Sequence, residues 1–591
     1  MIELLPARVT SQAGPRGLVL SSPVPLPEPA RCVGDWLVAG ASRHPDRILL
    51  AERGPDGDWR PTTYGQALAA VEGLASALLE LGARPDRPVL MLSENSVSGA
   101  LVALAAMHIG VPAAPVSAAW SLISTTFSQL RDVAAQLRPG FVFADEPARY
   151  AAALAALGDL DAPLLCEGEG PGHRLADLWR RPASPAQREA FAALGPDSVA
   201  KVLFTSGSTG SPKGVVNTQR MLTSNQESIA ACWPFLAARP PRVVDWLPWS
   251  HTFGSNQNFF MVLRNGGSLF IDRGRPAPGL IRTTLENMAE VAPNLWFNVP
   301  RGFDQAVALL EREPELSAAV FRELDLIFYA AAALSPSTRA RLERLAAAAG
   351  RPDVFFTSAW GSTETAPLCT SAHFPTPTTG VIGLPAPGVA LKLAPVQDKL
   401  ELRVRGPNIT PGYWQPGGGL SPVALDDEGY LPTGDAGELA EPGRPESGVV
   451  IVGRLSENFK LSTGTWVTVG RVRAALVDAA AGLLLDAVIT GADREALGAL
   501  LFLSPAAAGL APDEIRLRLW ETLKAHNAAH PGSSTAIARA RISERPLSLD
   551  AGETTDKGYT NQRRVLTLRA AEVEALYAEP APDDVIALTR G

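Results

Sequence analysis

Residues 205–213 combine hydroxyl side chains, glycines and a lysine, a set that could bind an oligophosphate. Apolar runs precede the segment at Val202–Phe204 and follow it at Val215–Val216, which predicts a loop between two strands. Hydroxyls, backbone N–H groups exposed at glycine and an ammonium are groups that bind phosphates. The segment is not a Walker loop, because Pro212 separates Ser211 from the lysine and a strand-like run follows. Taken alone, a flexible Gly/Ser turn explains it equally well. The candidate phosphate-binding residues are Thr205, Ser206, Gly207, Ser208, Thr209, Gly210 and Lys213.

Two further motifs offer groups that a nucleotide and a metal ion need. In Trp360-Gly-Ser-Thr-Glu364 an aromatic face, a hydroxyl and a carboxylate stand in close succession, and they suit adenine, a phosphate and Mg²⁺ in turn. Asp435 ends the run Gly429-Tyr-Leu-Pro-Thr-Gly-Asp435, and Gly453-Arg454 follows downstream. A carboxylate can accept from both hydroxyls of a ribose, and an arginine can support it. The alternatives are a buried tryptophan at a strand end and an ordinary Thr-Gly-Asp turn.

A histidine and a few lysines are the remaining candidates for chemistry. His251 lies in Trp246-Leu-Pro-Trp-Ser-His-Thr-Phe-Gly254, although a lone histidine after a strand is often only structural. Lys557 follows Asp556 near the C-terminus, where a surface lysine is the alternative. The chain has seven lysines among its 53 basic residues, and a lysine in an arginine-rich chain indicates a need for a compact or deprotonable ammonium. This bias points to Lys213, Lys460 and Lys557.

Taken together, these motifs resemble those of the acyl-adenylate-forming (AMP-binding) enzymes, and among them the acyl-CoA synthetases. Leu400–Pro407 and Gly412–Trp414 also resemble signatures of that family. Within the family, the closest resemblance is to feruloyl-CoA synthases, through Gly453–Val467 and Asp556–Arg563. The resemblance covers about residues 36–577.

The resemblance implies two half-reactions. An aryl carboxylate attacks the α-phosphate of Mg·ATP, releasing pyrophosphate and leaving acyl-AMP, and the thiol of coenzyme A then takes the acyl group. Lys213 would contact the phosphates, and Lys557 would arrive from a mobile C-terminal domain to stabilise charge at the attacked phosphate. Glu364 would bind the metal, and Asp435 the ribose. The implied catalytic residues are Lys557, Lys213, His251 and Thr363; the implied cofactor-binding residues are Ala332, Trp360, Gly361, Asp435, Arg454 and Lys460 together with residues 205–210. The implied cofactors are ATP, Mg²⁺ and coenzyme A.

Three departures from the family pattern leave an alternative open, namely that the protein is a nucleotide-binding relative with impaired catalysis. Ser456 stands where an Asp or Lys hinge is usual. Asp556 stands where a glycine usually precedes the lysine, and Ala331–Ala333 stand where glycine usually lines the adenine.

The acid is predicted from aromatic residues in the segments that line the acyl pocket in this family. A planar acid of the hydroxycinnamate type, such as ferulate, suits an aromatic lining. The same residues could equally be core, and a medium-chain fatty acid is the alternative substrate. A peptide-synthetase adenylation domain is disfavoured, because Trp249–His251 lacks the Asp that holds an amino group in such domains. The aromatic set is Trp246, Trp249, Phe253, Phe259, Phe297 and Tyr329.

Composition limits the class of protein. With 591 residues, 46% apolar and 19% charged, we expect a globular chain of two or more domains. The net charge of −8 argues against a nucleic-acid partner. Four dispersed cysteines fit no metal spacing, and the N-terminus lacks a signal-peptide pattern. We therefore expect a cytoplasmic protein without a membrane span, acting on small molecules; a homodimer is left open.

The elements that must position these residues alternate between strands and helices. Strands are predicted at Val89–Leu92, Val111–Val116 and Phe141–Phe143, with helices at Ser96–His108 and Ser124–Leu137. Such alternation predicts parallel α/β layers.

The α/β pattern recurs, with a strand predicted at Val243–Leu247, a helix at Asn256–Leu263 and a strand at Ser268–Ile271. Short apolar runs from about Thr376 predict a small antiparallel β subdomain. The fold class is therefore α/β, with a large N-terminal domain (1–453) of two α/β subdomains and a small β-barrel-like subdomain. The C-terminal domain (454–591) is predicted to be smaller and α+β, and to end in a helix at Asn561–Tyr577. Residues 167–197 are predicted to be an irregular connector.

Overall fold

The computed structural model describes residues 2–168, 170–205, 211–277, 279–332, 334–376, 378–555 and 560–588. The chain divides into two compact units. The first comprises Met1–Ala394, Arg403–Pro432 and Leu439–Val450, and the second comprises Pro395–Leu402, Thr433–Glu438 and Ile451–Gly591. The exact boundary at residues 453 and 454 stays a prediction.

The strands of the N-terminal half alternate with helices along the chain, as the sequence pattern predicts. They are β1 (Thr10–Gly14), β2 (Gly17–Ser21), β3 (Ile48–Arg53), β4 (Trp59–Thr63), β5 (Val89–Leu92), β6 (Ala113–Pro115), β7 (Phe141–Ala144), β8 (Leu164–Cys166), β9 (His173–Arg174), β10 (Val199–Thr205), β11 (Lys213–Thr218), β12 (Arg242–Asp245), β13 (Ser268–Ile271), β14 (Leu295–Asn298) and β15 (Leu326–Tyr329).

The later strands follow one another with few helices between them until residue 469. They are β16 (Phe355–Gly361), β17 (Leu368–Ser371), β18 (Val381–Pro385), β19 (Ala390–Val396), β20 (Lys399–Arg405), β21 (Gly412–Gln415), β22 (Gly419–Pro422), β23 (Leu431–Leu439), β24 (Val449–Arg454), β25 (Phe459–Lys460), β26 (Trp466–Val467), β27 (Leu484–Thr490), β28 (Leu497–Leu503), β29 (Ile537–Ile542) and β30 (Val585–Ala587).

The α-helices cover the sheets. They are α1 (Val33–Arg43), α2 (Tyr64–Glu80), α3 (Val97–His108), α4 (Ala118–Leu122), α5 (Ser128–Leu137), α6 (Ala151–Leu157), α7 (Leu175–Leu178), α8 (Pro185–Ala192), α9 (Gln219–Cys232), α10 (Phe235–Ala238), α11 (Phe260–Arg264), α12 (Leu280–Val291), α13 (Pro300–Leu310), α14 (Pro314–Phe321), α15 (Pro336–Ala348), α16 (Val469–Ala479), α17 (Pro512–Ala529), α18 (Gln562–Leu568) and α19 (Ala570–Leu576). Among the described residues, none of these helices is long and apolar enough to cross a membrane.

Two sheets organise the first unit and confirm the predicted pair of α/β subdomains. In one sheet the strands β10-β6-β5-β7-β8-β9 are parallel neighbours, and β11, β21 and β22 extend it in antiparallel fashion. In the other, β16-β15-β14-β12-β13-β3 run parallel. Strands in parallel sheets are covered on both faces, and the apolar runs of β5, β7 and β14 are accordingly buried throughout.

The predicted antiparallel β region is present. It also includes β1 and β2, which the sequence did not predict. Antiparallel pairing continues from β16 to β17, β18 and β24. The N-terminal hairpin of β1 and β2 also pairs with β19. The sequence does not predict this hairpin as strands, because β1 is exposed along its whole length and a proline-rich segment follows β2.

The second unit has its own core and is α+β, as predicted. Strands β27, β28, β29 and β30 form a mixed four-stranded sheet. Leu476 of α16 and Leu519 of α17 are fully buried in one cluster with Ile489 and Leu501 of this sheet.

Two sequence predictions need correction. The irregular connector at 167–197 contains α7 and α8; α8 begins at Pro185, and the Ser184 side chain accepts a hydrogen bond from the Gln187 N–H, a capping pattern that favours a helix start. The single helix predicted at 561–577 is two helices, because Arg569 leaves helical geometry and its buried guanidinium donates to both carboxylate oxygens of Glu553.

Candidate active site

The predicted phosphate loop connects two paired strands, as expected. In the β10–β11 hairpin Thr205 lies opposite Lys213. The Lys213 side chain is exposed, and its Nζ lies 5.5 Å from the ring centroid of Tyr413. Next to the loop, Gln136 donates to the Pro212 carbonyl at 2.8 Å. The predicted phosphate contacts Ser206, Gly207, Ser208, Thr209 and Gly210 lie outside the described residues.

The second motif turns sharply at the end of β16. Trp360 is buried. Its burial fits a core tryptophan as well as a tryptophan that contacts adenine. A Cβ on Gly361 would lie 1.6 Å from the Pro367 carbonyl oxygen, so this position requires glycine. A 3₁₀ turn at Thr363–Thr365 then presents Thr363 and Glu364 at its start.

Glu364 is held by a segment far away in the chain. The Thr410 N–H donates to the Glu364 carbonyl at 2.8 Å, and Tyr413 in β21 lies near the Glu364 carboxylate, whose charge adds to burial in raising the pKa of Tyr413. Mg²⁺ in nucleotide sites binds one or two carboxylates together with substrate phosphates, and a single oriented carboxylate fits that requirement. The grouping of three carboxylates at Asp426–Glu428 is a poorer candidate, because Lys392 and Arg403 already bind Asp426.

The predicted adenine-lining stretch has a strained backbone. Ala331 has φ +74° and is exposed, as is Ala332. A residue with a Cβ is disfavoured at such a φ, where glycine is free of strain. The alanine therefore occupies a conformation that explains why glycine is usual here.

His251 precedes a π-helix at Phe253–Phe259. The Ser255 N–H and hydroxyl both donate to the His251 carbonyl, at 3.0 and 2.8 Å. The sequence predicted an ordinary helix over 256–263; the π turn instead leads into α11. Gln226 explains the difference, because its side-chain amide donates to the carbonyls of Asn256 and Gln257 and so competes for them with the helix.

Most of the predicted aromatic set clusters around this π-helix. Trp249 stacks on Phe259 with ring centroids 5.0 Å apart. Phe253 contacts both Phe297 and Phe328, at 6.4 and 5.5 Å. Tyr329 does not join them, since it belongs to a separate core cluster.

Several buried donors lie in the same segments without a hydrogen-bond partner among the described residues. They are Trp246 Nε1, Trp249 Nε1, Gln257 Nε2 and Asn298 Nδ2. An unpaired buried donor costs roughly 1–3 kcal/mol, so a ligand atom that accepted from one of them would be favoured.

The structure also reveals two buried ionisable residues that sequence reasoning missed. Lys201 in β10 donates to Asn256 Oδ1 at 3.2 Å, and burial lowers its pKa to about 7. Asp245 at the end of β12 accepts from Asn258 at 2.8 Å, and burial raises its pKa to about 7. A charged residue inside an apolar strand was the available signal for both.

In the second unit the structure brings together the predicted ribose-binding pair. Arg454 Nε lies 3.0 Å from Asp435 Oδ1, and Arg454 also donates to the Thr433 carbonyl at 3.2 Å. Lys460 is exposed, with Nζ 4.8 Å from the ring centroid of Trp466. Lys557 lies outside the described residues, so its role stays a prediction.

Comparison with known proteins agrees with these features. The family model described as AMP-binding enzyme matches residues 37–414, and the model described as AMP-binding enzyme C-terminal domain matches residues 460–581. A long-chain-fatty-acid–CoA ligase, FadD15, of Mycobacterium bovis is 25% identical, with 90% of this chain and 95% of that protein covered.

Two solved structures share the fold. One is the adenylation domain of a carboxylate reductase from Mycobacterium chelonae, with a TM-score of 0.71, 20% identity, and 94% of this chain and 92% of that chain covered. The other is the anthranilate CoA ligase AuaEII in complex with anthranoyl-AMP, with a TM-score of 0.71, 18% identity, and 93% of this chain and 98% of that chain covered. The family models together span most of the sequence, and the chain belongs to the AMP-binding enzyme family.

Proposed function

We propose that this protein is an AMP-forming acid–CoA ligase that activates an aryl carboxylic acid of the hydroxycinnamate type. At the level of the family, ATP-dependent acyl-CoA ligase activity is supported by the AMP-binding match and by the fatty-acid ligase relative. The finer statement, an aryl acid and a feruloyl-CoA synthase-like specificity, is our proposal.

In the proposed first half-reaction, the acid carboxylate attacks the α-phosphorus of ATP. The new bond joins a carboxylate oxygen to phosphorus, and the bond to the bridging oxygen breaks to release pyrophosphate. Lys213 and the residues of its loop would bind the phosphates, and Lys557 would stabilise charge on the attacked phosphate. Mg²⁺ held by Glu364 would neutralise phosphate charge when bound. Holding both reactants in place can supply roughly 7–11 kcal/mol of the barrier.

In the proposed second half-reaction, the thiol of coenzyme A attacks the acyl carbonyl of acyl-AMP. The thioester forms, the bond to the AMP oxygen breaks, and the thiol proton leaves to solvent. Asp435, supported by Arg454, would retain the nucleotide through its ribose hydroxyls, because a carboxylate accepts from two donors.

The observation that supports an aryl acid over a fatty acid is the set of unpaired buried donors around the π-helix. Trp249 Nε1 and Gln257 Nε2 are buried beside the aromatic cluster and lack partners among the described residues. An alkyl chain would leave these groups unpaired, whereas the phenol and methoxy oxygens of ferulate can accept from them. A site built to hydrogen-bond a substrate discriminates strongly against an analogue that lacks the oxygen.

A competition among acids tests this proposal. We expect kcat/KM to fall by on the order of 10-fold from ferulate to cinnamate, which lacks the ring oxygens, and further to octanoate. W249F should narrow the gap between ferulate and cinnamate. The matched control is W59F, because Trp59 Nε1 is also buried and lacks a partner among the described residues but stands in β4 at the sheet edge. A preference for octanoate or a longer fatty acid would favour the alternative substrate, and no pyrophosphate release with any acid would favour a nucleotide-binding relative.

A further inference from the structure

Tyr413 contacts two residues that the proposed reaction needs. Its strand β21 pairs with β11, with Tyr413 opposite Val215 and thus two positions from Lys213. Its ring centroid lies 5.5 Å from Lys213 Nζ, and burial together with the nearby Glu364 carboxylate raises the pKa of its hydroxyl. One half-buried aromatic residue therefore lies near both the candidate phosphate lysine and the candidate metal carboxylate.

The backbone around Tyr413 fixes these contacts. The Thr410 hydroxyl donates to the Val216 carbonyl of β11 at 2.7 Å, while the Thr410 N–H donates to the Glu364 carbonyl at 2.8 Å. The buried Asn408 amide donates to the Thr365 and Leu368 carbonyls, at 2.8 and 3.1 Å. Residues 408–413 thus tie the turn that carries Glu364 to the strand that carries Lys213.

Two opposite charges, Lys213 and Glu364, lie near Tyr413. Within the described part of the chain, neither Lys213 nor Glu364 forms an ion pair, and both lie near this one side chain. A direct pair between them would occupy the ammonium and the carboxylate that the phosphates and the metal require. The ring face suits a cation and the hydroxyl suits a carboxylate, so each charge has a separate partner.

We propose that Tyr413 is a positioning residue that holds Lys213 and Glu364 separate and oriented for Mg·ATP. This inference rests on the proposed function. The two parts of the Tyr413 side chain have separable effects, because the hydroxyl acts on the metal-binding carboxylate of Glu364 and the ring acts on the phosphate-binding Lys213.

The two parts can be tested by binding, independently of turnover. Calorimetry with a non-hydrolysable ATP analogue, with and without Mg²⁺, and a Mn²⁺ titration followed by electron paramagnetic resonance are measured on the full chain. We expect Y413F to weaken Mn²⁺ binding in the presence of the analogue about 10-fold, as is typical when a partner of a metal ligand is removed, while leaving metal-free analogue binding unchanged. Y413L should weaken both.

The matched control is Y430F, which removes a hydroxyl from another tyrosine whose ring contacts cations. The centroid of the Tyr430 ring lies 4.3 Å from Lys392 Nζ and 4.6 Å from the Arg405 guanidinium. Y430F should change neither affinity. If Y413F matches the wild type and Y413L lowers only the melting temperature, Tyr413 is merely structural and the inference is overturned. If the wild-type chain itself binds no Mg·ATP, the proposed function fails instead.

Discussion

At the scale of single residues, Asp435 and Arg454 were predicted to act together and lie in contact in the structure. They stand 19 positions apart along the chain and form an ion pair of 3.0 Å, with Asp435 mostly buried and Arg454 exposed. The motif that ends at Asp435, the Gly453-Arg454 that follows it and the resemblance to the family together predicted this pair. Lys201 and Asp245 could not be identified as buried partners of Asn256 and Asn258, because those contacts depend on how the π-helix lies against the strands.

The prediction at this scale concerns ATP affinity. D435N removes the charge of the acceptor proposed for the ribose hydroxyls, and a hydrogen bond to a charged group contributes about 1.5–3 kcal/mol. We expect the Kd for ATP to rise on the order of 10- to 100-fold, measured by calorimetry. E438Q is the matched control, since Glu438 lies in the same strand and pairs with Arg471 at 2.9 Å. Equal losses in the two variants would contradict a ribose role for Asp435.

At the scale of elements, hydrophobic patterning predicted several strands of the parallel sheets. β5 and β13 have the predicted bounds, Val89–Leu92 and Ser268–Ile271, because continuous apolar runs bounded by turn residues are typical of buried strands. Patterning failed where a distant side chain decides the backbone. The π-helix at Phe253–Phe259 depends on the amide of Gln226, and no local pattern shows that contact.

The prediction at this scale concerns the turn after β16. In G361A the new Cβ would overlap the Pro367 carbonyl and displace the turn that carries Glu364. Overpacking costs typically about 1–3 kcal/mol, so we expect a lower melting temperature and a higher KM for ATP. G380A is the control, because a Cβ there meets nothing within 4 Å. A G361A protein with wild-type melting temperature and KM would show that the turn can absorb the side chain.

At the scale of the whole molecule, the chain forms two compact units, each with its own core. The alternation of strands and helices, followed by short antiparallel strands, was sufficient to predict this organisation. The acid was less predictable, because aromatic residues serve a core and a ligand equally well; Tyr329, for example, packs in a core cluster. Unpaired buried donors become visible only once the fold is known.

The central claim is that the protein makes acyl-AMP from ATP and an aryl acid and then transfers the acyl group to coenzyme A. Its most direct test is a single-turnover experiment on the full chain with Mg·ATP and ferulate, in which the products are separated before and after coenzyme A is added. We expect feruloyl-AMP and pyrophosphate in equal amounts first, and feruloyl-CoA with AMP after the addition. K557A should fail in the first step yet convert supplied feruloyl-AMP. ADP and phosphate in place of AMP and pyrophosphate, or no adenylate with any acid, would contradict the claim.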